Sequence, residues 1–199
     1  MNSTLFTVTT PDGPFTVIST LTEPREAQPA GTEPTSSVLA SGWTADPSEL
    51  IGQIHPTLRA RFAPESAQRL DSTLTKAPDQ AGLRAIREAI EAFYADDFEP
   101  IRRVPVLQHS GEFRTHAWDV LRTVAPGHPV TYSEYALLAG RPAAVRAAAG
   151  ACALNAAALF VPCHRVVRLD GGLGGFRWGV PVKESLLARE ARAAGLSML

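Results

Sequence analysis

Cysteine is almost missing from this chain: there are two, Cys152 and Cys163, in 199 residues. Two are too few for a disulfide framework or a cysteine-rich zinc site. A role for either thiol must therefore come from its surroundings. Long apolar runs are missing as well. No stretch approaches the roughly 20 residues that a membrane helix needs, which predicts no membrane partner. The N-terminal MNSTLFTVTTPDG has neither the basic start nor the apolar centre of a secretory signal. The expectation is a soluble globular protein of the cytoplasm. Net charge is nearly absent too, at −1, which alone argues against nucleic acid as a partner. Its distribution argues the other way. Residues 1–100 hold 7 Lys/Arg and 14 Asp/Glu, net −7, whereas residues 101–199 hold 12 and 6, net +6. A basic second half offers a phosphate-facing surface.

The pattern along the chain predicts an α+β protein with a small α/β unit over residues 1–100 and a mostly helical domain over 101–199. Residues 6–8 and 15–18 flank Pro11-Asp12-Gly13, so an early hairpin is expected. Residues 23–37, rich in Pro, Glu, Thr and Ser, read as a loop, and residues 38–43 as a returning strand. Helical spacing covers 47–61 and 80–95, the latter with Leu83, Ile86, Ile90 and Phe93 on one face. Residues 101–107 read as a short strand. A helix is expected over 113–124, broken by Pro126-Gly127-His128-Pro129. Thr131-Tyr132-Ser133-Glu134 has capping-box spacing, Gly140 marks a stop, and Pro142 suits the first turn of the next helix, to about residue 153. Two short helices around a Gly-containing turn form a helix-turn-helix candidate. The second of them, Ala143-Ala-Val-Arg-Ala-Ala-Ala-Gly-Ala-Cys-Ala153, has one long side chain, Arg146. A major-groove reader carries several long polar side chains, whereas this smooth surface suits close approach to something narrow or flat, or to another helix.

Chemistry concentrates further on. Residues 156–162 are apolar and end in proline, followed by Cys163-His164-Arg165-Val166. An extended segment is expected to deliver Cys163 to a fixed place. A thiol becomes a nucleophile when a base or cation lowers its pKa. His164 is adjacent, but strand neighbours point apart, so a bridging water or a local twist is needed. Glu190 follows Leu186 and Leu187 by four and three residues on the last helix, which begins near Pro181. Its carboxylate thus falls on the apolar face and needs a partner: a histidine, or a nearby Arg or Lys. Between them, Gly171, Gly172, Gly174, Gly175 and Gly179 form a loop whose backbone can approach a ligand closely. No phosphate-binding glycine pattern fits it.

From about Phe113 to Glu190, the chain resembles the O6-alkylguanine-DNA alkyltransferases (methylated-DNA–protein-cysteine methyltransferases). The resemblance is carried by Pro162-Cys-His-Arg-Val166, with Arg146 and Asn155 before it, then the glycine loop, Lys183 and Glu190. It implies a single-turnover DNA-repair protein. Cys163 would accept an alkyl group from O6-alkylguanine irreversibly, His164 would act as base through a water, Glu190 would hold His164, and Asn155 would tie the helix-turn-helix to the active-site segment. It implies that Arg146 fills the gap left by a flipped guanine and that Tyr132 crowds the target phosphate. Ala144, Val145, Ala147 and Ala149 would line the minor groove. Val166, Phe176 and Arg177 would offer backbone groups to the flipped base, and Cys152 would form pocket wall. Arg165 and Lys183 would support the substrate site, Lys183 by polarising the tyrosine. The implied partner is double-stranded DNA carrying O6-alkylguanine, bound by a monomer, with no cofactor and no metal. The chain departs from the family pattern in having Ala156-Ala-Ala158 after Asn155 where proline is usual, and Phe176 where tyrosine is common. The cysteine-rich domain of the bifunctional regulatory members has no counterpart here, so phosphotriester repair and transcriptional activation are not expected.

Two other classes compete. A non-catalytic sensor of alkylated DNA keeps the fold but lacks the cysteine, and Cys163 is present. A cysteine hydrolase could use Cys163, His164 and Glu190 for acyl transfer, but leaves the Ala-rich helix and Arg146 without a purpose.

Overall fold

Alternating apolar and polar side chains near the N-terminus build a hairpin. In the computed structural model, which describes residues 3–22, 35–60, 68–69 and 80–196, β1 (Ser3–Thr10) pairs antiparallel with β2 (Gly13–Thr22) from Thr10↔Gly13 to Ser3↔Thr20. Pro11-Asp12 is left as a two-residue turn, closed by Gly13 at φ +114°, a backbone conformation that favours glycine. Strand β3 (Thr35–Gly42) runs antiparallel to β2 with a bulge at Ile18/Ser19. Strand β4 (Gln68–Arg69) runs parallel to β1, giving the order β3-β2-β1-β4. Of the loop expected over 23–37, residues 23–34 lie outside the described residues, and the rest belongs to β3.

Helices α1 (Pro47–Ile51) and α2 (Pro56–Arg59) replace the single helix expected over 47–61. Pro56 is the cause: the residue before a proline is pushed out of the helical region. His55 accordingly sits at φ −55°, ψ 139°, and its ring caps α2 by accepting from Thr57 N. Helix α3 (Gln80–Tyr94) buries the expected face, with Leu83, Ile86, Ile90 and Phe93 each at most 1% exposed. At about 1.5–3 kcal/mol per buried side chain, this face is a main source of the unit's cohesion. Trp43 Nε1 donates to Tyr94 Oη (3.0 Å), which donates to Asp12 Oδ2 (2.9 Å), tying the hairpin turn to the end of α3. The strand expected over 101–107 is mostly absent. Helix α4 (Glu99–Arg103), with Pro100 in its first turn, takes residues 101–103. Only Val106 reaches the sheet, through a bridge to Val38 with Leu107 N donating to Val38 O at 2.8 Å. These residues therefore belong with the first unit, and the contacts divide the chain into Met1–His109 and Ser110–Leu199, nine residues later than the composition implied.

The second unit begins with α5 (Glu112–Leu121). The two-residue strand β5 (Val130–Thr131) leads into α6 (Tyr132–Leu138), where both hydrogen bonds of the Thr131–Glu134 capping box form. Gly140 turns the chain at φ +74°. Helix α7 (Val145–Ala153) starts three residues after Pro142, which lies in the turn instead. Small residues on α7 let its neighbours come close. Ala148 and Ala151 are fully buried, and Trp118 Nε1 of α5 donates to Ala151 O at 2.9 Å. Tyr135 of α6 donates to Ala117 O of α5 at 2.7 Å, so all three helices interlock through buried polar groups that are satisfied. Strand β6 (Val166–Val167) pairs parallel with β5, and α8 (Val180–Ala193) closes the unit with Pro181 in its first turn.

The segment before the cysteine is not extended. Val161 N donates back to Ala157 O (2.8 Å), Leu159 takes φ +73°, and Cys163–Arg165 form a single turn of 3-10 helix. Pro162 itself is at φ −80°, ψ 63°. The apolar run 156–161 is buried throughout, at most 4% exposed, so burial rather than strand pairing accounts for its composition.

Candidate active site

Asn155 organises the turn that carries the thiol. Its Oδ1 accepts from Ala157 N at 3.1 Å, and its Nδ2 donates to Val161 O at 2.8 Å. These bonds hold together a loop that includes the left-handed Leu159, a conformation that costs of order 1–3 kcal/mol and persists only where its surroundings enforce it. The same Nδ2 donates to Cys163 Sγ at 3.2 Å. Burial pushes the Cys163 thiol up, and the Asn155 hydrogen bond opposes this, as do the charges of Lys183 and Arg177. A donor aimed at sulfur favours the thiolate.

The turn after Cys163 sends His164 and Arg165 into the interior, where they meet Glu190, which is 0% exposed. His164 Nε2 lies 2.8 Å from Glu190 Oε1. Arg165 donates through Nε to both carboxylate oxygens, at 3.1 and 3.0 Å, and through Nη2 to Oε1 at 2.9 Å. Its Nη1 donates to Val124 O at 2.6 Å. Gly127 N adds a bond to Oε2 at 3.3 Å. Burial would raise the Glu190 carboxyl, but His164 and Arg165 outweigh it and hold it at about 2. An ionised carboxylate only accepts, so Nε2 carries the His164 proton and Nδ1 keeps the lone pair of a base. Burial holds His164 below its ordinary value against the pull of Glu190, and the neighbouring cations add to the depression. The result is a neutral imidazole fixed in one tautomer.

Both partners left open for Glu190 in the sequence are thus realised, histidine and arginine together. Arg165 is 1% exposed and spends its donors inside the unit, so it does not reach a substrate surface. Lys183 is also 1% exposed. Its Nζ donates to Val166 O at 2.6 Å and to Leu173 O, not to Tyr132, and so clamps the glycine loop to β6. Val166 is buried, and its carbonyl is engaged by this clamp.

Cys163 opens into a cavity of about 380 Å³ lined by Tyr132, Ala149, Cys152, Ala153, Asn155, Ala158, Gly175, Phe176, Arg177 and Trp178. The volume suits a small organic ligand. Of the residues singled out from sequence, the structure brings Tyr132, Ala149, Cys152, Asn155, Cys163, Phe176 and Arg177 together around this cavity. Burial pushes the Tyr132 phenol up, with the two thiols adding to it. A side chain on Gly174 would stand 3.5 Å from Tyr132 Oη, so the glycine loop passes close to that phenol. Arg177 Nη2 donates to Ala153 O at 2.7 Å, fastening the loop to the end of α7. Arg146 and Ala147 are exposed, while Ala144 and Val145 are half-buried; none of the four lines the cavity.

Sequence reasoning missed the part that Gly127 plays. Gly127 read as a helix breaker, yet it has φ +75°, and a Cβ there would stand 2.8 Å from Ala194 Cβ and 3.0 Å from Glu190 O. Glycine is needed because the chain presses on α8 while donating to Glu190. The signal available was the Pro126-Gly127 pair, a turn motif whose destination no local pattern specifies.

Comparison with known proteins bears on this unit. The family model described as "6-O-methylguanine DNA methyltransferase, DNA binding domain" matches residues 112–192. The chain is 53% identical over 106 residues to the bifunctional transcriptional activator/DNA repair enzyme Ada of Escherichia coli K12, covering 53% of this chain and 29% of that protein. It is 40% identical over 108 residues to the human methylated-DNA–protein-cysteine methyltransferase, covering 54% of this chain and 50% of the relative. The chain thus spans half the length of these relatives or less. Among solved structures, it resembles Mycobacterium tuberculosis OGT in complex with DNA, with TM-score 0.66, 21% identity and coverage of 96% of this chain and 94% of that one. At that identity, the likeness shows the fold.

Proposed function

We propose that this chain, whose residues 112–192 match the family model of the 6-O-methylguanine DNA methyltransferase DNA-binding domain, repairs DNA by moving the alkyl group of O6-alkylguanine onto Cys163. The observation that carries the reading is the pairing of an Asn155-bonded thiol, open to a cavity, with an adjacent neutral imidazole locked by Glu190. His164 Nδ1 takes the thiol proton through a bridging water. Asn155 Nδ2 steadies the charge on sulfur. The thiolate attacks the alkyl carbon, a C–S bond forms, and the C–O6 bond breaks with its electron pair going to the base. A proton returns, so that guanine leaves neutral and Cys163 keeps a stable thioether. Each molecule therefore acts once.

A recessed thiol cannot reach O6 inside a stacked duplex, because O6 faces the major groove. The base must be flipped out. The exposed Arg146 at the start of the smooth α7 fits the space the base vacates, and the basic second half supplies phosphate contacts without strong sequence preference. Tyr132, Phe176 and Arg177 then surround the extruded base from the cavity wall. The protein would act as a monomer on DNA carrying O6-alkylguanine and, in a cell without a nucleus, in the cytoplasm. Among the described residues, no helix is long and apolar enough to cross a membrane.

Intact-protein mass spectrometry tests this. Mixing with duplex DNA containing O6-methylguanine is expected to add one methyl group, located on Cys163, in proportion to lesion consumed. Cys163→Ala is expected to bind the duplex and leave the lesion intact. Unchanged protein mass beside intact lesions, or lesion loss with Cys163→Ala, would overturn the reading.

A further inference from the structure

The cavity holds a second thiol that alkyl transfer does not use. Cys152 and Cys163 are both free, and both face the same cavity. Asn155 joins them directly: its backbone N–H donates to Cys152 O at 3.3 Å and its side chain donates to Cys163 Sγ at 3.2 Å. Cys152 belongs to the last turn of α7, and Cys163 begins the short 3-10 turn. The wall around them is otherwise largely carbon, with Ala149, Ala153 and Ala158.

We propose that Cys152 is the resolving thiol of Cys163: when a hydroperoxide oxidises Cys163, Cys152 closes a reversible disulfide with it inside the cavity. The proposal rests on the reading of Cys163 as the reactive thiol. In the first step, the Cys163 thiolate attacks the terminal peroxide oxygen. The O–O bond breaks, an alkoxide or hydroxide leaves, and sulfur is oxidised by two electrons to a sulfenic acid. In the second step, Cys152 sulfur attacks Cys163 sulfur, the S–S bond forms, and the S–O bond breaks. The hydroxyl departs as water with the Cys152 proton. A dithiol reductant restores both thiols by exchange.

The chemistry of the two sites is complementary. Burial pushes the Cys152 thiol up, and the neighbouring Cys163 adds to it. The same burial raises Cys163, but there Asn155 Nδ2 donates to the sulfur and favours its thiolate, while Cys152 surrenders its proton in the condensation. Without a resolving partner, a sulfenic acid advances to sulfinic acid, which ordinary thiols do not reverse. An acceptor used once per molecule would be lost before meeting a lesion.

The test uses the full chain. Reduced protein is treated with hydrogen peroxide, blocked with iodoacetamide and weighed. The wild type is expected to lose two hydrogen masses, take up no blocking group and yield a peptide linking Cys152 to Cys163. Cys152→Ala is expected to gain oxygen atoms on Cys163 instead. After dithiothreitol, methyl transfer should return to the unoxidised level of the same protein in the wild type, and stay lost in Cys152→Ala. Oxygen addition to wild-type Cys163 at the rate seen in the variant, or a disulfide only between two chains, would overturn the proposal. Should Cys152→Ala fail to fold, the mass of the oxidised wild type decides alone. Methyl transfer by the reduced wild type is scored separately, so its absence refutes the repair reading whatever the disulfide readout.

Discussion

Replacing Glu190 by Gln keeps shape and removes charge. In the folded protein the carboxylate accepts from His164, from Arg165 through two nitrogens and from Gly127 N, all without solvent. The depression of its pKa from 4.5 to about 2 corresponds to about 3 kcal/mol of stabilisation at neutral pH. An independent figure comes from the partner left behind: a buried guanidinium without its anion costs about 3–5 kcal/mol. The two agree, so Glu190→Gln is expected to lose about 3–5 kcal/mol in urea unfolding at pH 7. The loss has a pH signature. The folded-state pKa lies below the unfolded one, so the contribution is complete above about 4.5 and fades as pH falls toward about 2. The gap between wild type and variant should therefore narrow below pH 4.5 and be constant above it as far as this group is concerned. Activity should fall with stability held fixed, because Gln can donate to Nε2 and so permit the wrong imidazole tautomer. Single-turnover methyl transfer at a temperature where the variant is folded measures that part. A loss under 1 kcal/mol at pH 7, or a gap that does not change between pH 6 and pH 3, would refute the claim that Glu190 is an ionised hub.

Gly127→Ala places a methyl 2.8 Å from Ala194 Cβ at φ +75°, so a destabilisation of at least about 2 kcal/mol is expected from overpacking and left-handed strain together, read by the same urea titration. Arg146→Ala, on the exposed face of α7, should slow repair in duplex DNA by about tenfold or more while leaving reaction with free O6-benzylguanine nearly unchanged, since only the duplex requires flipping. Equal losses on both substrates would assign Arg146 to folding. Lys183→Met removes the clamp between Val166 O and Leu173 O, and limited proteolysis should then cut within residues 168–179 faster than in the wild type. An unchanged cleavage rate would show that the loop is held by other bonds.

What the sequence disclosed, and what it hid, follows from the range of each interaction. Helix α3, the early hairpin and the Thr131 capping box rest on spacings within a few residues, and each was legible. The single helix expected over 47–61 failed because Pro56 acts on its predecessor and outweighs a periodic pattern. The strand expected over 101–107 failed differently. Val106 does reach Val38, but Pro100 lets a helix turn form first, and no local feature tells where the chain rejoins a sheet 68 residues earlier. The apolar run before Cys163 was ambiguous in the usual way, since a buried irregular turn and a buried strand share one composition.

The site shows the same division at the level of single side chains. That Glu190 lies on a buried face was visible from Leu186 and Leu187, and a buried carboxylate demands a cation or donor. Nothing local ranks His164 above Arg165 as that partner, because the two are adjacent in sequence and only the 3-10 turn lets both point inward. The structure resolves the choice by using both, and the combination differs chemically from either alone. Glu190 pulls a proton toward the imidazole, and the burial of His164 opposes that pull. Arg165, sharing the carboxylate, adds to the depression that burial causes, and the imidazole stays neutral. Arg165 thus acts on the thiol at two removes, through Glu190 and His164, although it is too deeply buried to touch a substrate.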